Sequence, residues 1–298
     1  MIPPGLAAVL PLLACPSCGG LLTEVHARRA GRGGSVPGSV VGCPSGHRFD
    51  LARQGYLSLL GPRSRTDTGD SADMVAAREQ FLGAGHYRRI ARAVSDRVGA
   101  GPVIEIGAGT GYYLAAAVDR PSSGDGPSTA AQPVVGLALD SSRYAARRAA
   151  AVHPMVGSVV ADAWSELPVR TGVAGTVLSV FAPRDPDEIT RVLAPGGRLV
   201  VVTPQPEHLA EIRGPLGMLT VDEGKPERLE AAFTGRLQVV ERADLRAELP
   251  LSRNDLGALV RMGPSARHIE PADLAVNLGG LGVVTDVTMA VTISVLER

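Results

Sequence analysis

Four residues near the N-terminus have the types and spacing of a metal site. Cys15-x2-Cys18 is followed, 24 residues later, by Cys43-x3-His47. Each close pair suits a tight turn, so that two ligands from each pair converge on one tetrahedral ion. Pro16, Gly19 and Gly20 around the first pair, and Pro44 and Gly46 around the second, favour such turns. Thiolate and imidazole select zinc over magnesium or calcium. Four protein ligands leave no open coordination position. The expectation is therefore a structural Zn²⁺ that holds a module too small to fold on its own core. The chain's three cysteines all lie within residues 15–43. An odd, clustered set argues for metal in a reducing compartment and against a disulfide framework.

A second constellation starts at Val103. Val103–Ile106 reads as a strand, Gly107-Ala108-Gly109-Thr110-Gly111 as a glycine turn, and Tyr112 as the start of a helix. Such a turn lets backbone approach a ligand closely. It is not a dinucleotide fingerprint. Counted from Gly107, the third glycine position is Tyr112; counted from Gly109, it is Leu114. The Gly-Lys-Ser/Thr of a P-loop is also absent. What remains, Glu105-x-Gly107-x-Gly109-x-Gly111, resembles motif I of class I S-adenosylmethionine methyltransferases. In that family the loop packs on the amino-acid part of the cofactor. Asp140 ends the next strand, 29 residues after Gly111. An acid there can accept both ribose hydroxyls, as in other nucleoside-binding α/β folds. Asp162 ends the third strand, placed for an adenine amino group, with Ala163 beside it and Trp164 available to flank the ring. The expected cofactor set is Glu105, Gly107, Gly109, Gly111, Tyr112, Asp140, Asp162 and Ala163.

These residues need elements to hold them. Short apolar runs at Val103–Ile106, Val134–Leu139, Gly157–Ala161, Thr176–Phe181 and Arg198–Thr203 read as strands. Helical spacing marks Tyr112–Val118, Arg143–Val152 and Asp187–Leu193. Strands alternating with helices predict an α/β fold with a doubly wound, Rossmann-like parallel sheet. Leu237–Leu251 and Val283–Leu296 are candidates for later strands. Two helices are expected over Ser71–Val98, broken near Gly83–Gly85. Ala27–Ser39, rich in Gly and Arg, reads as a mobile loop, and Pro121–Pro133 as a surface insertion. The predicted division is a zinc module at 1–62, a helical linker at 63–98 and the catalytic domain at 99–298.

The chain of 298 residues is 45% hydrophobic and 3% aromatic, with 30 basic and 30 acidic residues. Zero net charge provides no global field toward nucleic acid or membrane. Residues 1–65, however, hold seven Arg (28, 29, 32, 48, 53, 63 and 65) against Glu24 and Asp50, an excess suited to phosphate contacts beside the zinc module. No stretch approaches the roughly 18 apolar residues of a membrane span, and no basic residue precedes the apolar run 5–14, so a signal peptide is not expected. The reading is a soluble, cytoplasmic protein.

Further motifs narrow the resemblance. The Cys-Pro-x-Cys…Cys-Pro-x2-His module is followed by Phe49-Asp50-x4-Gly55-Tyr56, Gly69-Asp70-Ser71, Ala77-Arg78-x2-Phe81-Leu82-x2-Gly85-His86-Tyr87 and the glycine turn. Phe181-Ala182-Pro183, Leu193-x-Pro195-Gly196-Gly197 and Thr203-Pro204-x3-His208-Leu209-x-Glu211-Ile212-Arg213 continue it. Over residues 13 to about 215 the sequence resembles the bacterial 23S rRNA guanine-N1 methyltransferases, a family that includes the tylosin-resistance enzymes. The resemblance implies S-adenosyl-L-methionine as cofactor, a guanine in an rRNA hairpin lining the peptide exit tunnel as target, a homodimer, and a zinc module that helps grip RNA. Composition favours the resistance-type branch. Two features depart from the family pattern: the Arg-rich insertion at 27–39, and Met262-Gly263-Pro264 where Met-Thr-Pro is expected. Tyr112, Tyr113 and Phe181 are candidates for stacking on a swung-out base. No general base is named by the sequence. Arg184 is placed to stabilise charge on guanine O6, and Glu188, Asp185 or His208 to take a proton. Two rival readings are a small-molecule methyltransferase with a structural zinc knuckle, and a non-catalytic RNA-binding protein of the same fold.

Overall fold

A computed structural model of the chain describes residues 2–31, 34–61, 64, 69–119, 134–220 and 224–298. The insertion at 121–133 and most of the 61–70 linker lie outside the described residues. The N-terminal part runs α1 (Pro4–Val9), β1 (Thr23–Gly31), β2 (Gly34–Gly42), β3 (Arg48–Asp50), β4 (Leu57–Ser58), α2 (Ala72–Gly83) and α3 (Arg88–Ser95). The α/β part follows as β5 (Val103–Ile106), α4 (Tyr112–Val118), β6 (Gly136–Asp140), α5 (Arg143–Ala149), β7 (Val156–Val160), β8 (Ala174–Val180), α6 (Pro186–Val192), β9 (Leu193–Pro204) and α7 (Ala210–Arg213). The chain ends with α8 (Lys225–Phe233), β10 (Gln238–Ser252), α9 (Arg253–Arg261), α10 (Pro271–Gly279) and β11 (Val284–Glu297).

The large sheet has the order β10-β11-β9-β8-β5-β6-β7-β4. Strands β4 to β9 pair in parallel, while β11 runs antiparallel to both β9 and β10. The strands of the alternating pattern are parallel as expected, and the two later strands make the sheet mixed. Strands β10 and β11 are joined through α9 and α10 and run antiparallel to each other. Strands β5 and β7 are buried at every position, as expected for parallel strands covered on both faces. Apolar side chains from α2, α3 and α4 (Phe81, Ile90, Val94, Leu114) fill one face. Residues from α1, α6 and α8 (Leu6, Val9, Ile189, Val192, Phe233) fill the other. Among the described residues no helix is long and apolar enough to cross a membrane.

Several sequence expectations need correction. Residues 27–31 and 34–39 do not form an irregular loop: the backbone of β1 and β2 pairs antiparallel from Thr23↔Gly42 to Gly31↔Gly34. High Gly content hid the strands, since Gly supplies no apolar alternation. The expected division at residue 62 does not coincide with a packing gap. Helix α1 lies on β7 and β6, and β4 extends the main sheet beside β7. Helices α2 and α3 are also more than a linker, because Phe81, Tyr87 and Ile90 are buried in the main core and α2 packs on α9.

The seat of α1 depends on two glycines. A Cβ on Gly5 would stand 2.2 Å from the Val156 carbonyl oxygen, and one on Gly157 2.2 Å from a Val9 methyl carbon. Neither approach leaves room for a side chain. Replacing Gly5 by Ala is therefore expected to cost about 1–3 kcal/mol through overpacking. Calorimetric unfolding of the variant would test this; an unchanged midpoint would mean that α1 does not sit on β7 as described.

Candidate functional site

The four metal-site residues meet as their spacing predicted. Their ligand atoms all lie within 4.8 Å of one another. Cys15 Sγ is 3.6 Å from His47 Nδ1, Cys18 Sγ 3.6 Å from Cys43 Sγ, and Cys43 Sγ 3.3 Å from His47 Nδ1. With zinc–sulfur bonds near 2.3 Å, a tetrahedral site has ligand edges of about 3.8 Å, so the set fits zinc. In the first turn the amides of Cys18 and Gly19 donate to the Cys15 carbonyl, and in the second Gly46 donates to Cys43. Gly19 and Gly46 both have positive φ, 69° and 93°, which these turns require. Hydrogen bonds from Ser45 and the Gly20 amide bring the Cys18 thiol down to about 6. Burial pushes Cys15 up; at Cys43 burial also raises the thiol, but the hydrogen bonds from the His47 ring and amide, together with Cys15, bring it down. The site is reached from β2 through Cys43 and leads into β3 through His47.

The second site is a cavity of about 560 Å³ at the C-terminal ends of β5 to β9. Chain order reverses between β5 and β8, the place where open α/β sheets bind ligands. One half is walled by Gly107, Ala108, Gly109, Tyr112, Asp140, Asp162, Ala163 and Trp164. The Asp140 carboxylate accepts from the Gly109 amide through Oδ2 and from the Ser142 amide through Oδ1, both at 2.8 Å. A carboxylate offers about four acceptor sites, which leaves capacity for hydroxyl groups. Asp162 Oδ1 accepts from the Trp164 amide and Oδ2 from Ser165 Oγ, each at 2.9 Å. Trp164 is 59% exposed yet forms part of the wall. Its indole is therefore not a core group.

Two expected cofactor residues do not line this cavity. Glu105 is 1% exposed and accepts from the Leu114 amide at 3.1 Å. It lies beneath the first turn of α4, where an acid satisfies an orphan helix N–H. Burial pushes its carboxyl well above the usual range. Gly111 faces α5: a Cβ there would stand 2.9 Å from Val152 and 3.3 Å from Ala149. Its φ of 77° is in the left-handed region that glycine adopts without strain.

The other half of the cavity is formed by Tyr87, Phe181–Arg184, His208, Leu209, Arg213, Met218 and Met262–Ser265. Phe181 has φ 53°, a backbone strain rare for a bulky residue, and is 42% exposed. It stacks on His208 with centroids 5.9 Å apart. Tyr112 and Tyr113 meet edge to face at 5.2 Å; Tyr113 is buried. Arg184 lines the wall. Among the described residues its guanidinium has no carboxylate within ion-pair distance, and its Nη1 bond to the Ala182 carbonyl is long at 3.4 Å. Burial lowers its pKa.

The proton-acceptor candidates fare differently. Glu188 lies outside the cavity, accepting from the Leu167 amide and pairing with Arg191 at 2.6 Å. Asp185 caps α6 by accepting from the amides of Asp187 and Glu188. His208 is in the wall, but Nδ1 accepts from the Ala290 amide and Nε2 lies 3.2 Å from the Tyr87 hydroxyl. Accepting at Nδ1 fixes the neutral ring with its proton on Nε2. None of the three carries a carboxylate or ring nitrogen ready to take a proton from a ligand. His86 packs on Phe81 and pairs with Asp255 at 3.3 Å, a structural role.

Sequence reasoning missed Arg78, Asp70, Tyr87 and Met262 as wall residues. Arg78 and Asp70 form an ion pair, and Arg78 Nη2 donates to the Met262 carbonyl at 2.7 Å. Arg78 and Tyr87 belong to an unbroken motif noted above, but nothing local in it points to a cavity. The contact of Arg78 with Met262 spans 184 residues.

No family model matches the chain. A protein of Micromonospora griseorubida, provisionally named a 23S rRNA (guanine-N(1)-)-methyltransferase, is 41% identical over 305 aligned residues, covering 96% of this chain and 97% of that protein. The 23S rRNA (guanine(748)-N(1))-methyltransferase of Streptomyces fradiae is 43% identical over 260 residues, covering 85% and 89%. A solved geranyl diphosphate methyltransferase in complex with SAM gives a TM-score of 0.44 at 16% identity, covering 78% of this chain and 92% of that one. Identity above 40% across nearly the full length of two relatives places the chain in the family of 23S rRNA (guanine-N1)-methyltransferases.

Proposed function

We propose that this chain transfers a methyl group from S-adenosyl-L-methionine to N1 of a guanine in 23S rRNA. The observation that carries the reading is one continuous cavity with two chemically different halves. Acids and a glycine turn wall one half, and aromatic rings and Arg184 wall the other. The volume suits a nucleoside cofactor with a base beside it. Asp140 is assigned to the ribose hydroxyls, Asp162 and Trp164 to the adenine, and Gly107 and Gly109 to the amino-acid part. When bound, the cofactor supplies an electrophilic methyl on a sulfonium. The protein must align guanine N1 with it, and alignment alone supplies much of the rate.

Guanine N1 carries a proton that must leave as the N–C bond forms. Among the described residues the carboxylates of the cavity wall are Asp70, Asp140 and Asp162, all in the cofactor half. The target half instead offers Arg184. Its desolvated cation, which meets no carboxylate among the described residues, favours a guanine whose negative charge is spread onto O6, and the proton passes to water. Phe181, exposed and held at positive φ, provides the stacking face for the extruded base.

The four-ligand metal centre is read as structural zinc, and the Arg-rich N-terminal module as an RNA grip. The name of the Streptomyces fradiae relative suggests the guanine equivalent to position 748, with macrolide resistance as the consequence. A homodimer follows from the family resemblance.

Methyl transfer from labelled cofactor to unmodified 23S rRNA, followed by mapping, tests the reading. Label is expected on guanine N1; label entering tRNA, protein or a metabolite instead would reject the substrate. Arg184→Gln is expected to lower kcat by roughly 10²-fold, as for loss of an oxyanion-stabilising group, with cofactor affinity unchanged. The deficit should shrink as pH rises, because solvent then supplies more of the guanine anion. A pH-independent deficit would argue against the arginine's assigned role. Cys18→Ser is expected to lower bound zinc from one equivalent toward zero and to lower thermal stability; full zinc content in that variant would contradict the ligand set.

A further inference from the structure

Two further arginines in the cavity wall, Arg78 and Arg213, are left unused by the catalytic reading above, and Arg78 is the one beside the glycine turn. Arg78, on α2, reaches across to the glycine turn. A Cβ placed on Gly109 would stand 3.0 Å from Arg78 Nη1 and 3.2 Å from its Cδ. The guanidinium therefore lies directly against the turn, in the space that any other residue at 109 would fill. Nη1 pairs with the Asp70 carboxylate, and Nη2 donates to the Met262 carbonyl at 2.7 Å. A guanidinium has five N–H donors, so these two bonds leave three.

Asp70 is itself held in place. Its carbonyl accepts from Ser142 Oγ at 2.6 Å, and Ser142 is the residue whose amide donates to Asp140. A cation and an anion thus stand side by side over the turn, both fixed by backbone contacts and both in the cavity wall. A zwitterionic α-amino acid group has the complementary pair of charges. Its carboxylate matches the planar fork of an arginine, and its ammonium matches a carboxylate.

We propose that Arg78 and Asp70 together bind the α-amino acid tail of the cofactor, Arg78 taking the carboxylate and Asp70 the ammonium. Through the bond to Met262, the same arginine ties the cofactor to the roof of the target half. This assignment rests on the cofactor reading of the cavity and extends it to two residues outside the glycine motif.

The test compares S-adenosylhomocysteine, which carries the tail, with 5′-methylthioadenosine, which lacks it. Binding is measured calorimetrically, or through fluorescence of Trp164, the chain's one tryptophan. The native protein is expected to bind S-adenosylhomocysteine more tightly. Arg78→Gln should weaken S-adenosylhomocysteine by roughly 10- to 150-fold, the range for a hydrogen bond to a charged group, and leave methylthioadenosine within about twofold. Arg78→Lys, which keeps the charge but not the fork, should fall between. Equal losses on both ligands would mean a merely structural arginine, and a loss on neither would also overturn the proposal. Native protein that bound both ligands equally well would sink the tail assignment alone. Native protein that bound neither would sink the cofactor reading itself.

Discussion

The carboxylate of Asp140 is the interaction on which the cavity depends. It sits at the end of β6 and accepts two backbone amides, one from the glycine turn after β5 and one from the start of α5. Those two segments come from neighbouring strands, so one side chain ties the turn after β5 to the end of β6. The bonding continues outward. Ser142 caps α5 and donates to the Asp70 carbonyl, Asp70 pairs with Arg78, and Arg78 donates to the carbonyl at the end of α9. A path of five groups thus runs from the sheet edge to the cavity roof. Each bond is worth about 1 kcal/mol net, and more where a charge takes part. Their larger effect is geometric, since each removes a rotational freedom from a wall residue. Burial raises the Asp140 pKa and the two amides lower it; the first effect is the larger.

The two halves of the cavity differ in sign for a physical reason. The turns after β5, β6 and β7 belong to the half of the sheet where strand ends carry acids, at Asp140 and Asp162. The segment after β8 carries Phe181-Ala182-Pro183-Arg184, with no acid facing the cavity. The approach of Gly107 to Ala182, where a Cβ would stand 2.7 Å away, brings the two segments into contact at the boundary. Phe181 is forced into its positive φ just there, with its amide still donating to the Val202 carbonyl of β9. That last ladder bond holds the strained residue in place. The side chain turns out of the sheet and onto His208, whose ring is fixed from behind by Ala290 and Tyr87. The Phe181 ring thus rests on a side chain that is itself held from two sides.

Much of this was legible in the residues, and the failures have identifiable causes. The cysteine and histidine pairs, the glycine turn and the strand-end acids could be read because each depends on local spacing. The strands from β5 to β9 were found within a few residues, since their side chains are buried on both faces. Glu105 and Gly111 were misread because they match a motif whose letters do two jobs. Glu105 satisfies a helix amide and Gly111 admits α5, and only Gly107 and Gly109 of the four reach the cavity. The hairpin of β1 and β2 was missed because glycine and arginine carry no alternation. Helix α9 was also missed, although Ser252-x2-Asp255 forms a capping box in the structure; that signal was present and was overlooked. Arg78 and Tyr87 were out of reach. Their cavity partners, Met262 and His208, lie 184 and 121 residues away.

The metal centre has to be understood together with the main sheet. In the three-stranded sheet of β1, β2 and β3, Val40 and Val41 of β2 are buried, while β3 presents exposed Arg48 and Asp50 around a half-buried Phe49. Cys15, Leu22, Val41 and Cys43 instead join the core cluster that includes Leu13, Leu57, Val159 and Val169 of the α/β part. Two of the four ligands are thus also core residues, so the ion and the apolar seam constrain the same segments. Leu13 bridges to Val169, and β4 pairs with β7 two strands away from the glycine turn. A metal that only closed a detached knuckle would leave its position free relative to the cavity. Here the ion fixes the hairpin onto a chain segment that is itself part of the sheet. A module joined in this way can hold a structured RNA at a set distance from the site of reaction, which a tethered knuckle could not do.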